Sequence, residues 1–176
     1  MDSSKYINPE KYLDGINVKL ESVTDERSRR RLNMLKEHVA AEVVGDIERI
    51  MKTLIAEPVY HFWGGNAMGM KHFVGYAECR AYYENLFATQ SHDIERHYSR
   101  LIVDETGIFG DGLIRVFVQG DLLPKVAADV NMADIDPAGF YVTERQSCVI
   151  VPFSDDDHMV GEDMYFDSAV TVTRVA

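Results

Sequence analysis

The first part of the chain carries apolar residues at helical spacing. Leu32, Leu35, Val39 and Val43 recur three or four positions apart, which predicts one apolar stripe on a helix over residues 26–45. Two further helices are predicted: 47–55, with Asp46 as its N-cap, and 70–88, where Phe73, Tyr76, Tyr83 and Phe87 repeat at helical spacing.

The remainder of the chain predicts strands. Runs of β-branched and aromatic residues alternate with Asp-Gly turns and polar loops. Helices followed by meandering strands indicate an α+β fold with an antiparallel sheet, and they argue against a βαβ nucleotide-binding unit. The loop 124–137 is too long for a hairpin turn, so we expect it to cover an opening of the sheet. The predicted strands are 59–63, 94–104, 107–119, 140–153 and 160–173.

Length and composition predict a single globular domain. The chain has 176 residues, of which 46% are hydrophobic and 27% charged, so it can bury a core without disulfides or a structural metal. Residues 1–25 are polar and interrupted by Pro9 and Gly15. We interpret them as an extension that wraps the domain or a neighbouring subunit, and we place the domain itself at 26–176.

The charge balance excludes several classes of partner. A net charge of −11 disfavours DNA and RNA, whose binding depends on Lys and Arg, and it disfavours anionic membrane surfaces. No apolar run approaches the roughly 20 residues that cross a bilayer. The N-terminus lacks an apolar leader, and two cysteines, Cys79 and Cys148, make no disulfide framework. These features predict a cytoplasmic protein.

No cofactor is expected from the sequence. The histidines are scattered without metal-ligand spacing, and the acidic run 155–157 lacks the rest of a calcium loop. No glycine-rich phosphate loop follows a predicted strand. We therefore predict neither a metal nor a nucleotide cofactor.

Three segments carry a resemblance to a known superfamily. Residues 38–62, beginning His-Val-Ala-Ala-Glu-Val-Val-Gly-Asp, resemble the opening of ketosteroid isomerases and SnoaL-like cyclases. Residues 75–83 and 153–160 are similar to the later helix and to the final strand-turn-strand of that nuclear transport factor 2-like superfamily. The resemblance implies a cone-shaped, curved antiparallel sheet wrapped around three helices of the N-terminal half, in the cystatin-like manner. It also implies a small ligand in the hollow and a homodimer or higher homo-oligomer.

The catalytic mechanism of ketosteroid isomerase is not expected in this chain. His38 stands where the resemblance places the tyrosine oxyanion donor of ketosteroid isomerase, and it can still exchange a proton near neutral pH. Phe62 stands at the general-base aspartate and Val149 near the second oxyanion donor. Because neither side chain can take or give a proton, we do not expect a steroid isomerase.

Scytalone dehydratase and a dehydrochlorinase of the same superfamily imply a different base. They place a histidine on the strand after the third helix, which is His97 here, and a carboxylate on the first helix, which Glu42 can supply. Tyr60 is expected to point inward and donate to a leaving oxygen. Arg145 is expected inward if Val149 is, beside a substrate oxygen or a carboxylate such as Glu42 or Glu162. Each has a structural alternative: strand-edge capping for His97, a satisfied core side chain for His38 and Tyr60, a solvated helix face for Glu42, and a surface ion pair for Arg145.

These residues lead to a main functional hypothesis and two alternatives. The main one is a cofactor-independent lyase or dehydratase acting on a small hydroxylated hydrophobic molecule, with lignin-derived diaryl diols and formaldehyde release as one specific case. A non-catalytic ligand- or partner-binding module is the second. A polyketide cyclase or epoxide hydrolase is the third, and it requires paired carboxylates with an arginine, which the sequence does not make evident. The side chains expected to bind substrate are Phe62, Trp63, Tyr83, Val149, Glu162 and Phe166.

Overall fold

The computed structural model describes residues 2–64, 71–127 and 130–176. Short 3-10 turns accompany the helices and strands, but they do not alter the arrangement. The helices are α1 (Lys11–Ser22), α2 (Glu26–Val43), α3 (Ile47–Lys52), α4 (Tyr76–Ala88) and α5 (Leu123–Val126). The strands are β1 (Leu54–Trp63), β2 (Lys71–Val74), β3 (Ile94–Val103), β4 (Gly107–Gln119), β5 (Phe140–Pro152), β6 (Met159–Phe166) and β7 (Thr171–Arg174).

The strands form one curved, unclosed sheet in the order β2-β1-β6-β5-β4-β3, with β7 paired to β5. Neighbouring strands run antiparallel except β1 and β6, which run parallel. Gly161 lets these two strands approach, since a Cβ there would lie 1.7 Å from the Val59 carbonyl oxygen. The predicted α+β class with helices in the N-terminal half is confirmed.

Local signals define the predicted helices. The Asp25 carboxylate accepts a hydrogen bond from Ser28 N at 2.7 Å and begins α2, and Asp46 caps α3 through Arg49 N at 3.1 Å. The predicted stripe of α2 is the core face, because Leu32, Leu35 and Val39 are fully buried. It packs against the inner face of the sheet, which includes Val149 and Val151.

Four boundaries differ from the sequence predictions. Residues 71–74 form β2 rather than the start of a helix, and α4 begins only after Gly75. Strand β1 starts at Leu54, where the second helix was expected to continue. The expected last strand is divided into β6 and β7. Residue 70, which begins the expected third helix, and residues 128–129 of the expected cover lie outside the described residues.

The N-terminal segment is part of the core. We expected residues 1–25 to lie outside it, which is wrong for α1, because Tyr12 and Ile16 are buried in the main cluster. Glu95 on β3 holds the turn before α1 in place. Its carboxylate accepts a hydrogen bond from Asn8 N at 2.6 Å and forms an ion pair with Lys11 at 3.7 Å. Within the described ranges, no helix is both long and apolar enough to span a bilayer.

Candidate active site

Strand alternation determines which side chains point into the hollow of the sheet. In the parallel pair, Tyr60 lies opposite Glu162 and Phe62 lies opposite Met164. Tyr60 and Phe62 are buried, and Phe166 follows Met164 on the same face. The inner face of β1 and β6 therefore carries an ionisable end at Tyr60 and Glu162, and an apolar end at Phe62, Met164 and Phe166.

A cavity of about 540 Å³ opens over the apolar end, within the usual size range of small-molecule sites. Arg145 from β5 lies on its wall, with the guanidinium carbon 4.2 Å from the centre of the Phe166 ring. Burial lowers the pKa of Arg145 to about 10, so it stays charged at neutral pH. Aromatic and aliphatic walls come from Phe62, Phe73, Tyr82, Leu86, Ile114, Val116, Val126, Met164 and Phe166.

We define Glu42, Glu162 and Arg96, whose charges interact with one another, as the carboxyl cluster. Burial, reinforced by the charge of Glu162, raises the pKa of Glu42. Burial likewise raises the pKa of Glu162, and Arg96 offsets part of that rise. Two neighbouring carboxyls with raised pKa values retain a proton near neutrality, so one can act as an acid while the other acts as a base.

Arg96 occupies the centre of the buried polar region. It is 1% exposed, donates from Nη1 to Ser147 Oγ at 3.1 Å, and its guanidinium lies 5.4 and 5.7 Å from the Tyr12 and Tyr98 ring centres. Its Nε has no hydrogen-bond partner among the described residues. Buried polar groups in this condition are typical of a site that a ligand or water completes.

A hydroxyl chain, which we define as Thr53, His38, Tyr83 and Tyr60, borders the cluster. Thr53 Oγ1 donates to the Ile50 carbonyl at 2.6 Å, so His38 Nδ1 must donate to Thr53 Oγ1, 2.7 Å away. His38 Nε2 then accepts from the Tyr83 hydroxyl at 2.9 Å, and that hydroxyl accepts from Tyr60 at 3.0 Å. Hydrogen-bond chemistry thus assigns the tautomer of a fully buried histidine.

This arrangement redefines the role of His38. Burial lowers its pKa to about 4, so the ring is neutral at physiological pH. Its Nε2 lies 3.6 Å from Glu162 Oε1, beyond a direct hydrogen bond. His38 therefore orients the Tyr83 and Tyr60 hydroxyls beside Glu162, whereas the sequence suggested that it exchanges the proton itself.

The cavity and the carboxyl cluster adjoin at two side chains. Met164 lines the cavity and has its Sδ 3.8 Å from Arg96 Nη2. Tyr82 also lines the cavity, and its pKa is raised by burial and by the charges of Glu42 and Glu162. Met164 therefore contacts both the cavity and Arg96 of the carboxyl cluster.

The structure does not bring His97 into the site. Its side chain is 44% exposed and is hydrogen-bonded to Glu95, next to Arg115. Because residues alternate along β3, the neighbours Arg96 and Tyr98 face inward instead. The sequence left open whether His97 converges with His38 and Glu42; in the structure only the latter two adjoin the buried site.

Two expected substrate contacts also lie elsewhere. Phe62 faces the cavity, so Trp63 faces the opposite side of the sheet, where it stacks on Tyr165 at 6.1 Å. Val149 is buried in the main core opposite Met164 and is not among the cavity-lining side chains. The other expected residues, Tyr60, Tyr83 and Glu162, belong to the buried polar region, and Phe166 lines the cavity.

Sequence reasoning missed Arg96 and Tyr82. Strand β3 carries Glu95, Arg96 and His97 in succession, so no polar-apolar alternation marks the buried face. Tyr82 immediately precedes Tyr83 on α4, and the helical stripe alone did not distinguish their surroundings. In the described ranges, no set of three or more His, Cys, Asp or Glu side chains is placed to hold a metal ion.

Comparison by sequence finds no relative: no protein-family model matches the chain, and no curated protein matches it. Comparison by structure finds similar proteins. A proposed SnoaL-like polyketide cyclase from a Jannaschia species superposes with a TM-score of 0.58 at 9% identity, covering 82% of this chain and 90% of that one. A nuclear transport factor 2-like protein of unknown function from Burkholderia pseudomallei gives 0.55 at 13% identity, covering 79% and 92%.

An epoxide hydrolase/cyclase-like enzyme in pyran ring formation of the polyether salinomycin also superposes. Its TM-score is 0.55 at 9% identity, over 82% of this chain and 97% of that enzyme. At such identities the agreement concerns the backbone architecture and not the chemistry. Because it extends over about four fifths of the chain and nearly all of each neighbour, it shows that this protein has the nuclear transport factor 2-like fold.

Proposed function

We propose that this protein is a cofactor-independent acid-base enzyme in which Glu42 and Glu162 share one proton next to the apolar cavity. The observation that supports it is the pair of buried carboxyls with raised pKa values beside Arg96. A single buried carboxyl would be neutral and inactive as a base, whereas a pair holding one proton supplies both partners of a proton transfer.

The favoured reaction is elimination from a small hydroxylated hydrophobic molecule, which makes the enzyme a lyase of the dehydratase type. The ionised carboxyl removes a proton from the substrate, and the protonated carboxyl transfers its proton to the departing hydroxyl, which leaves as water. Aromatic walls from Phe62, Phe73 and Phe166 suit a planar ring. Tyr60 and Tyr83 supply hydroxyls, already aligned by His38, next to Glu162.

A diaryl 1,3-diol is the specific substrate that we propose to test first. The ionised carboxyl would remove the proton of the terminal hydroxyl, and the adjacent C–C bond would break to release formaldehyde. The electron pair of that bond forms the new C=C bond and expels the benzylic hydroxyl, which takes the proton of the second carboxyl and leaves as water. The diol thus gives one stilbene, one formaldehyde and one water, and the carboxyl pair again holds one proton.

A second reaction, epoxide opening or cyclisation, is favoured by one particular observation. The Glu42, Arg96 and Glu162 cluster is the carboxylate-arginine-carboxylate set that this chemistry requires and that the sequence did not make evident. One carboxyl would protonate the epoxide oxygen, and the other would remove a proton from the attacking water or internal hydroxyl. The structural similarity to an epoxide hydrolase/cyclase-like enzyme supports including it.

The test is a turnover assay on a diaryl 1,3-diol and an aryl epoxide, with products separated by chromatography and formaldehyde measured colorimetrically. We expect Glu162→Gln to lower kcat by about 10²–10⁴-fold, the usual contribution of a general acid or base. His97→Ala is the matched comparison, because its exposed ring lies outside the site. Loss of turnover in His97→Ala with retention in Glu162→Gln would reject the carboxyl mechanism, and binding of both compounds without any turnover would favour the binding-module alternative.

A further inference from the structure

The charged side chains around the cavity oppose the charge of the protein as a whole. The chain carries 29 acidic and 18 basic residues, yet among the described residues that line the cavity three are cationic, Lys71, Lys125 and Arg145, and one is a carboxylate, Glu78. That carboxylate is already engaged, because Glu78 Oε2 accepts a hydrogen bond from Val74 N at 2.8 Å. The wall of the cavity is therefore locally positive in an acidic protein.

The two lysines approach the cavity from different parts of the fold. Lys71 lies on the edge strand β2, in register with Phe62, whereas Lys125 belongs to α5, in the connection that follows β4. Both are exposed, and neither makes an ion pair with a described residue. Flexible ammonium groups so placed attract anions from solvent and can close over them.

The third cation lies deeper. Arg145 is 9% exposed and stacks on Phe166, which also forms part of the apolar wall. Its guanidinium is already engaged inside the fold, so the two lysines are the cations of the wall that face solvent. The cations and the aromatic rings thus line the same cavity, so one ligand can meet both.

We propose that the substrate is an aromatic monoanion, an apolar ring system bearing a carboxylate or phenolate held by Lys71 and Lys125. This inference rests on the proposed function, because it names the substrate class of the same cavity. The anionic group lies toward the lysines, and the apolar body lies along Phe62 and Phe166 toward Met164, where the carboxyl cluster begins.

The experiment uses two fluorescent probes with one skeleton: 1-anilinonaphthalene-8-sulfonate, which is anionic, and N-phenyl-1-naphthylamine, which is neutral. We expect the double variant Lys71→Gln/Lys125→Gln to weaken binding of the sulfonate about five- to tenfold, as for loss of two partly exposed ion pairs, and to leave the neutral probe unchanged. The control Lys5→Gln/Lys52→Gln removes the same charge at two exposed positions that do not line the cavity. It should affect neither probe.

Three further arms make the result decisive. Ala81→Trp, at a lining position, should weaken binding of both probes; if it does not, the probes bind elsewhere and the inference fails. Equal losses for the sulfonate in the two double lysine variants would also overturn it, since long-range charge would then explain the effect. Displacement of the sulfonate at pH 8 by 2-naphthoate or by 4-nitrophenolate distinguishes a carboxylate from a phenolate substrate. Glu162→Gln separates the two proposals, because it should abolish turnover while leaving probe binding intact.

Discussion

Replacing one buried carboxyl of the candidate site should make the protein more stable at mildly alkaline pH. Burial raises the pKa of Glu162 above its unfolded value, and the charge of Glu162 raises the pKa of Glu42. A group with a raised folded pKa contributes stability at acidic pH that is lost as the pH rises through its folded pKa. Glu162→Gln removes this loss, because glutamine resembles the protonated acid and never ionises.

The size of the effect follows from linkage. Burial raises the pKa of Glu162 from 4.5 to about 7, which corresponds to about 3 kcal/mol, and solvent screening of a side chain that is 13% exposed lowers this to about 2 kcal/mol. We expect the free energy of unfolding of Glu162→Gln to lie close to that of the wild type at pH 5 and to exceed it by about 2 kcal/mol at pH 8. The gain should develop between the ordinary pKa of 4.5 and the folded pKa of about 7.

The assay is urea unfolding followed by the fluorescence of Trp63, the single tryptophan of the chain, from pH 5 to pH 8. Glu105→Gln is the control, because Glu105 is exposed and its replacement removes the same charge. A stability difference independent of pH, or a Glu162→Gln variant that is less stable at pH 8, would refute the buried-carboxyl interpretation. The same outcome would remove the physical basis for a shared proton.

Three further outcomes are expected. Asp157 accepts hydrogen bonds from three arginines, one of them the fully buried Arg31. Asp157→Asn should therefore lower the free energy of unfolding by about 3 kcal/mol at pH 7. The control Asp155→Asn, at an exposed position, should lower it by less than about 0.5 kcal/mol. Burial alone would raise the pKa of Asp157, but these bonds hold it at about 2, so the cost should shrink below pH 4 in urea titrations. Glu95→Gln should speed amide hydrogen exchange in residues 8–16, because Glu95 accepts the Asn8 amide; unchanged exchange would exclude this anchor. If the implied homodimer forms through the outer face of the sheet, Tyr165→Glu should disrupt it, because Tyr165 is 43% exposed on that face. The molecular mass measured by light scattering should then shift toward that of the monomer. An unaltered dimer would place the interface elsewhere.

Much of the fold could be predicted because its signals are local. The stripe of α2 and the caps Asp25 and Asp46 depend on residues within a few positions of one another. Strand β2 was missed because Lys71–Val74 is short and lies next to a true helix. The N-terminal helix was missed because only two of its residues, Tyr12 and Ile16, are buried.

The candidate site was predictable only in part. Glu42 was proposed because the resemblance implies a carboxylate on the first helix, and Tyr60 because strand alternation turns it inward. The position of Glu162 opposite Tyr60 follows from the strand register of the structure. The candidate base was placed at His97, one position after the inward-facing Arg96. A shift of one residue along a strand moves a side chain to the opposite face of the sheet. The raised pKa values depend on the burial of residues that are distant in sequence, which no local pattern encodes.

The parallel pairing of β1 and β6 has a consequence for biosynthesis. Tyr60 and Glu162 are separated by about a hundred positions in the sequence, yet they are neighbours across this pair. A nascent chain on the ribosome can form α2 and the β3-β4 hairpin early, but it cannot bring Tyr60 and Glu162 together until β6 emerges and inserts between β1 and β5. A truncated chain lacking β6 would leave the edges of β1 and β5 unpaired and prone to aggregation, so the candidate site is complete only in a molecule whose sheet is also complete.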